Sequence, residues 1–128
     1  MIDQREDIFT GWDPQGVEIT VGDYLDVIGT MEFDELTYIV IVTPKHEFDE
    51  KVLMACAPCR YAYLGMIGSK RKIAEIRKRA SEQHNISMDI LDKIDMPIGI
   101  PFAAETPPEI AISIVAKLID VKNKQKNL

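Results

Sequence analysis

The segment of residues 61–72 joins an apolar strand, a glycine turn and a helix start in one short stretch of sequence. The apolar and aromatic run 61–67 predicts a buried strand. Two glycines, Gly65 and Gly68, and a serine end this run, and a helix is predicted from Ser69 to about Gln83. Because a strand that turns into a helix is the repeating unit of parallel α/β sheets, this segment restricts the fold class strongly.

Three cations, Lys70, Arg71 and Lys72, occupy the predicted first turn of that helix. The helix dipole favours acidic side chains there, so each cation costs roughly a few tenths of a kcal/mol unless an anion receives it. A glycine turn followed by free helical N–H groups is the usual construction of an anion pocket. The alternative interpretation is that the three long side chains extend into water.

Strands and helices alternate along the rest of the chain. The continuous apolar run 38–42 is typical of a strand covered on both faces. The sequence Thr106-Pro107-Pro108-Glu109 is a capping box that begins the last helix. Other predicted elements are a strand at 17–21, helices at 22–28, 49–57 and 87–94, and a short strand at 97–100. The predicted fold is therefore α/β, a parallel sheet flanked by helices.

Ligands of such sheets bind outside the carboxyl ends of the strands. Three polar segments are predicted to meet there, residues 43–49, 65–72 and 104–106. The candidate binding residues in them are Thr43, His46, Asp49, Gly65, Gly68, Ser69, Lys70, Arg71, Lys72, Glu105 and Thr106.

Local structural roles are the alternative for three of these residues. His46 follows a strand and is either a ligand contact or proton carrier, or a loop histidine at the start of the next helix. Asp49 is either a site carboxylate or a first-turn carboxylate that complements the helix dipole. Glu105 either faces the crevice or supports the turn of the capping box.

Composition excludes several classes of protein. The 128 residues correspond to one domain, and the net charge of −6 argues against a general nucleic-acid binder. Neither a membrane-spanning apolar run nor a signal peptide is recognisable, so a cytoplasmic location is expected.

Two cysteines, Cys56 and Cys59, have C-x-x-C spacing. They are predicted between a helix and a strand, whereas a redox pair places its first cysteine at a helix N-terminus. A zinc site needs two further ligands, and no second pair exists. The sequence therefore favours the interpretation of Cys56 and Cys59 as two small packing residues.

The sequence shows no nucleophile–base pair and no complete set of metal ligands. This favours a binding or accessory protein over an enzyme.

Three groups of motifs resemble the Rossmann-type C-terminal domain of the XdhC/CoxI family, the xanthine dehydrogenase accessory factors. They are Val42-Thr43-x-x-His46-x-x-Asp49, Tyr63-x-Gly65-x-Ile67-Gly68-Ser69-x-x-Lys72, and Pro97-Ile98-Gly99 followed by Ala104-Glu105-Thr106-Pro107-x-Glu109-Ile110-Ala111. The resemblance extends from the first residues to about Val121.

The resemblance implies an accessory or chaperone-type role in the maturation of molybdenum hydroxylases. Factors of this family hold the molybdenum cofactor, shelter it during sulfuration and deliver it to the apoenzyme. On this analogy Ser69 and the cations at 70–72 meet a phosphate of a molybdopterin or nucleotide. His46, Asp49 and Glu105 line the same crevice, and the expected partner is an apo-molybdenum hydroxylase.

Two departures from the family pattern are expected. The family's separate N-terminal domain is absent, so residues 1–128 form a single Rossmann-like domain. Residues 1–6 resemble the end of the family's second strand, so the first strand, the glycine-rich loop and the first helix are lacking. Asp3 then corresponds to the acid that meets a ribose hydroxyl, without its phosphate loop, which disfavours the usual mode of NAD binding.

The missing strand is central in the order 3-2-1-4-5-6, so its loss leaves the strand at 38–42 with an unpaired apolar edge. We expect the chain to form a homo-oligomer, to swap an element, or to pair with a chain that supplies the missing half. Two other functions stay open. One is a nucleotide-binding half-domain completed by a partner, and the other is a dimeric fragment that binds nothing.

Overall fold

A computed structural model describes residues 1–127 of the protein. Its elements are, in chain order, β1 (Ile2–Asp3), β2 (Thr20–Val21), α1 (Tyr24–Gly29), β3 (Tyr38–Ile41), α2 (His46–Cys56), β4 (Tyr63–Met66), α3 (Lys70–His84), α4 (Met88–Asp92) and α5 (Pro107–Lys126). The alternation of short parallel strands with helices confirms the predicted α/β fold class.

The strands form two parallel pairs. β1 pairs with β2 in the register Ile2 to Thr20, and β3 pairs with β4 in the register Tyr38 to Tyr63. A parallel bridge between Gly65 and Asp95 extends the second pair on the far side of β4. Within residues 1–127, β3 has no strand on its other side, as the sequence predicted.

The core lies between the β3–β4 pair and helices α2, α3 and α4. Its most deeply buried apolar side chains are Leu53, Leu64, Met66 and Leu91. All four residues of β4 are buried, so the predicted buried strand is confirmed with a slightly shorter extent.

Helix α3 forms as its sequence pattern predicts. Ser69 caps it by accepting a hydrogen bond from the Lys72 amide at 3.3 Å. The inward positions Ile73, Ile76 and Ala80 are all buried. The helix ends where Asn85 adopts a left-handed conformation, φ 55°.

Helix α5 is long but shallowly packed. Its predicted capping box is present, yet among its residues only Ser113 and Ile114 are buried. The Val115 and Ile119 side chains are about half exposed, at 53% and 51%. The buried face of the helix is therefore narrow.

Three other predictions of local structure were wrong. The strand predicted at 17–21 is reduced to Thr20–Val21, because its partner β1 supplies only Ile2 and Asp3. Helix α2 begins at His46 rather than at residue 49. No strand forms at 97–100, since Gly99, at φ 102°, turns the backbone toward α5, where the Ile100 amide donates to the Ser113 carbonyl.

The strand β3 is not covered on both faces as predicted. Its Val40 side chain is 38% exposed, and that of Val42, which follows the strand, is 50% exposed.

No helix within residues 1–127 combines the length and the apolar character needed to cross a membrane.

Candidate functional site

The carboxyl ends of β3 and β4 lie side by side, as the parallel register requires. The Ile67 amide donates to the Ile41 carbonyl at 3.0 Å, so the loops that follow the two strands leave the same edge of the sheet. One loop leads to His46 at the start of α2, and the other leads to Lys70 at the start of α3. Two of the three predicted site segments therefore adjoin each other.

Asp49 organises the first loop. Its side chain is 1% exposed, and its Oδ1 accepts from the Thr43 amide at 2.7 Å and lies 2.7 Å from the Thr43 hydroxyl oxygen. That hydroxyl is also 2.8 Å from the Lys45 carbonyl. The carboxylate thereby fixes the path from β3 into α2.

The second carboxylate oxygen of Asp49 has no hydrogen-bond partner among the described residues. Its neighbour is the His46 imidazole, whose Nδ1 lies 3.5 Å away while the ring is 53% exposed. The carboxylate lies on the Nδ1 side of the ring, so Nε2 is the ring nitrogen left for a ligand. His46, Asp49 and Thr43 thus form one polar group at the end of β3.

The second loop carries the cations. Lys70, Arg71 and Lys72 follow the Ser69 cap, and the first turn of α3 contains no acidic residue. Within residues 1–127 none of these three cations forms an ion pair, whereas Arg77 pairs with Asp92 and Arg79 with Glu50. Lys78 of the same helix also lacks an ion pair within residues 1–127, so these three cations are distinguished by their position together in the first turn of α3 rather than by the lack of a partner.

The two glycines of this segment are explained by packing. A β-carbon on Gly65 would lie 2.5 Å from the Tyr63 hydroxyl oxygen and 2.6 Å from Ile98 Cγ1. A β-carbon on Gly68 would lie 2.9 Å from Ile73 Cδ1. Their predicted ligand role stays a prediction, because close packing already requires glycine at Gly65.

Glu105 and Thr106 lie at the start of α5. Their amides both donate to Glu109 Oε2 at 2.7 Å, which is the backbone side of the capping box. Both residues are exposed. In the part of the chain that the structure describes, no hydrogen bond or ion pair joins either of them to the His46 or Ser69 loops. The structure therefore brings together two of the three predicted segments.

Sequence reasoning missed one buried polar pair. The Tyr63 hydroxyl donates to Asp95 Oδ2 at 2.6 Å, and the Gly99 amide donates to the same oxygen at 3.0 Å. Burial, with Asp95 nearby, strongly raises the pKa of Tyr63. The available signal was a tyrosine inside an apolar strand, because a buried phenol requires a partner.

The two cysteines occupy the end of α2 and the turn after it. Cys56 is 1% exposed and Cys59 is partly exposed. Burial, with a smaller effect of Cys59, raises the pKa of Cys56 to about 11. A redox-active cysteine requires a lowered pKa, so the packing interpretation is supported.

Alkylation with iodoacetamide provides a test. At pH 8 we expect Cys59 to react first in the native protein and Cys56 to react mainly in guanidinium chloride, because Cys56 is buried and on the order of 0.1% of it is thiolate at that pH. Raising the pH toward 11 should accelerate the reaction of Cys56. The Cys56→Ser and Cys59→Ser variants assign the modified thiol, and equal native rates at pH 8 would contradict the prediction.

The arrangement offers cationic groups, a capped helix N-terminus and a carboxylate–imidazole pair at one edge of the sheet. Within residues 1–127, no group of three or more His, Cys, Asp or Glu side chains is placed to hold a metal ion. The chemistry that it offers is recognition of an anion that also carries hydrogen-bond donors.

Comparisons with known proteins agree with the fold. A solved structure described as a xanthine dehydrogenase from Bacillus halodurans is 27% identical, with a TM-score of 0.78, and the match covers 98% of this chain and 37% of that one. The Escherichia coli protein YqeB is 36% identical over 62 residues, which is 48% of this chain and 11% of that protein. This chain thus matches only a minor part of either relative. Because the model of the XdhC Rossmann domain matches residues 1–118, the chain belongs to the XdhC family.

Proposed function

We propose that this protein is an accessory factor in the maturation of molybdenum hydroxylases, and that its crevice binds a phosphate-bearing cofactor as cargo. Two facts support the proposal. The chain belongs to the XdhC family, and its solved relative from Bacillus halodurans is described as a xanthine dehydrogenase. The apoenzyme of such a hydroxylase is the partner that this role requires.

The unpaired cations at the start of α3 carry the proposal. These three side chains have no acidic partner, and they lie at a helix N-terminus, which itself favours anions. An anionic ligand would pair with both. Arg71 provides a planar pair of N–H donors suited to phosphate oxygens, and Lys70 and Lys72 add charge. The Ser69 hydroxyl shapes the turn that presents the helical N–H groups.

The phosphate and the pterin of the molybdenum cofactor are chemically suited to this site. The cations of α3 would hold the phosphate, and the free ring nitrogen of His46 would accept a hydrogen bond from the pterin. When bound, the cofactor supplies the molybdenum chemistry of the enzyme that receives it, and this chain supplies binding and shelter.

A nucleotide-binding half-domain is less favoured by the geometry at the end of β1. Asp3, the acid expected to meet a ribose, accepts from Arg5 Nε at 3.0 Å and from Arg5 Nη2 at 2.9 Å. The Arg5 side chain lowers the pKa of Asp3, chiefly through this hydrogen bonding. A ribose would have to displace the guanidinium group.

A thermal-shift titration tests the proposal with phosphate, CTP, NAD and a molybdopterin preparation. A ligand at about 100 times its dissociation constant stabilises the folded state by about 2.7 kcal/mol, which corresponds to a rise of roughly 8 °C. We expect molybdopterin to give the largest shift, and Arg71→Ala to weaken its binding about tenfold through the loss of a charge-assisted hydrogen bond.

The matched control is Lys78→Ala, which removes one exposed cation of the same helix about two turns away from Arg71. Lys78→Ala should bind as the wild type does. Equal losses in the two variants would indicate a nonspecific charge effect. A shift with NAD alone would favour the nucleotide-binding half-domain, and no shift with any ligand would contradict an anion site.

A further inference from the structure

One oxygen of the Asp49 carboxylate is buried without a hydrogen-bond partner. The side chain is 1% exposed, and its Oδ1 serves the loop after β3 by accepting from the Thr43 amide at 2.7 Å. Oδ2 has no hydrogen bond within residues 1–127. Because a buried carboxylate oxygen without a donor costs free energy, a donor that reaches Oδ2 from outside the chain would be stabilising.

The group beside Oδ2 is the imidazole of His46. Its Nδ1 lies 3.5 Å from Oδ2, and its side chain is 53% exposed. Since half of this side chain is in water, a change of rotamer can move the ring away from Oδ2 without disturbing the core. A ligand at the carboxyl end of β3 would then reach the carboxylate.

The charges at this edge of the sheet restrict the kind of donor. The first turn of α3 carries Lys70, Arg71 and Lys72 and contains no acidic residue. These three charges would repel a cationic ligand group but not a neutral N–H donor. Aliphatic amines are cationic near pH 7, so the donor that fits is an amine conjugated with an aromatic ring.

This donor and the anion that the cations attract can belong to one small molecule. Neighbouring strands of a sheet lie about 4.8 Å apart, so the loops after β3 and β4 begin close to each other. Thr43 ties Asp49 to the first loop, and Ser69 caps α3 in the second. A flat ring with an anionic substituent has the dimensions to contact both.

We propose that Asp49 determines the specificity of this site, with Oδ2 accepting a hydrogen bond from the exocyclic amine of an aminopyrimidinone ring. Pterin and guanine share this ring and therefore present the same donor. The inference rests on the proposed function, because the cations of α3 hold the anionic end of the ligand while the amine meets Oδ2. His46 turns aside to admit the amine and stays within reach of the ring.

Isothermal titration calorimetry with the full chain tests this inference with two matched pairs of anionic probes. Pterin-6-carboxylate is compared with lumazine-6-carboxylate, which has a carbonyl in place of the amine, and GTP is compared with ITP, which lacks the amine. We expect the aminated probe to bind at least tenfold more tightly in the pterin pair, because its partner leaves a buried acceptor unpaired. A preference in the GTP pair alone would identify a guanine nucleotide as the source of the amine. Equal binding within both pairs would overturn the proposal.

The Asp49→Asn variant keeps an oxygen for the Thr43 amide and places an NH2 group where Oδ2 was. Two donors then face each other, so we expect the preference for the amine to be lost. The matched control is Glu47→Gln, which neutralises the other acidic residue in the first turn of α2 at an exposed position, and it should keep the wild-type preference. A purely structural role of Asp49 would weaken both probes of a pair equally, and an unchanged ratio in Asp49→Asn would overturn the proposal.

The Arg71→Ala variant separates this inference from the proposed function. It should weaken all four probes about tenfold and leave the ratio within each pair unchanged, since it acts on the anionic group. Binding that depends on Arg71 without a preference for the amine would overturn this inference and leave the proposed function standing, whereas no binding of any probe would overturn both. If Asp49→Asn does not fold, the ratios measured with the wild-type chain decide.

Discussion

Replacing Gly65 with alanine is expected to lower the free energy of unfolding by about 3 kcal/mol. The added methyl group would lie 2.5 Å from the Tyr63 hydroxyl oxygen and 2.6 Å from Ile98 Cγ1. The hydroxyl does not yield easily, because its hydrogen bond to Asp95 holds it, and relief at Ile98 requires its side chain to change rotamer. Chemical denaturation in urea measures the loss.

The control for this prediction is Gly29→Ala, at the end of α1, where an added β-carbon meets nothing within 4 Å. That substitution should leave stability unchanged or raise it slightly, since alanine favours a helix. The double variant Gly65→Ala, Ile98→Ala should lose less than the sum of its single losses, because removing Ile98 Cγ1 makes room for the methyl group. Strict additivity would show that the close contact does not cause the effect.

Replacing Asp49 with alanine is expected to cost about 3 kcal/mol. The change leaves the Thr43 amide without its acceptor in a partly buried loop and removes the buried group that fixes the start of α2. Asp49→Asn should cost less, because the amide oxygen still accepts from the Thr43 amide. Urea denaturation measures both losses.

Thr43→Val is the matched variant, since it removes the hydroxyl and keeps the backbone amide. We expect it to cost about 1 kcal/mol, the value of one hydrogen bond. Combined with Asp49→Asn, it should show a coupling of more than 0.5 kcal/mol, as expected of residues in one network. If Asp49→Ala unfolds like the wild type, the carboxylate serves a ligand rather than the loop.

The local signals predicted the helices well. Ser69 and Asp23 act as N-caps, the latter by accepting from the Leu25 amide at 2.9 Å and the Asp26 amide at 3.1 Å. Capping depends on a few neighbouring residues, which the sequence shows directly. The strands were predicted less well, because the extent of a strand depends on its partner. Thr20–Val21 stops where β1 stops, and no local pattern in residues 17–21 contains that information.

The site was predicted in part for a similar reason. His46 and the cations of α3 come together because the parallel pairing of β3 and β4 places the ends of both strands at one edge, and the alternation of strands with helices predicted a parallel sheet. The path of residues 97–106 depends instead on Gly99 and its packing on Ser113 of α5. Tertiary contact of this kind has no local sequence signal, so the location of Glu105 could not be derived.

Because helix α5 is packed shallowly, the free energy of local opening should differ between this helix and the rest of the molecule. Protection against local opening follows the apolar area that each element buries, and in α5 only Ser113 and Ile114 are buried. Its other contacts are partly buried apolar side chains, Ile110, Leu118 and Val121, and hydrogen bonds such as that of 2.8 Å between the Tyr38 hydroxyl and Gln125. We therefore expect the helix to separate from the sheet at a lower free energy than the core, and its release would uncover the surface that it covers on the β3–β4 pair while α2 and α3 stay folded.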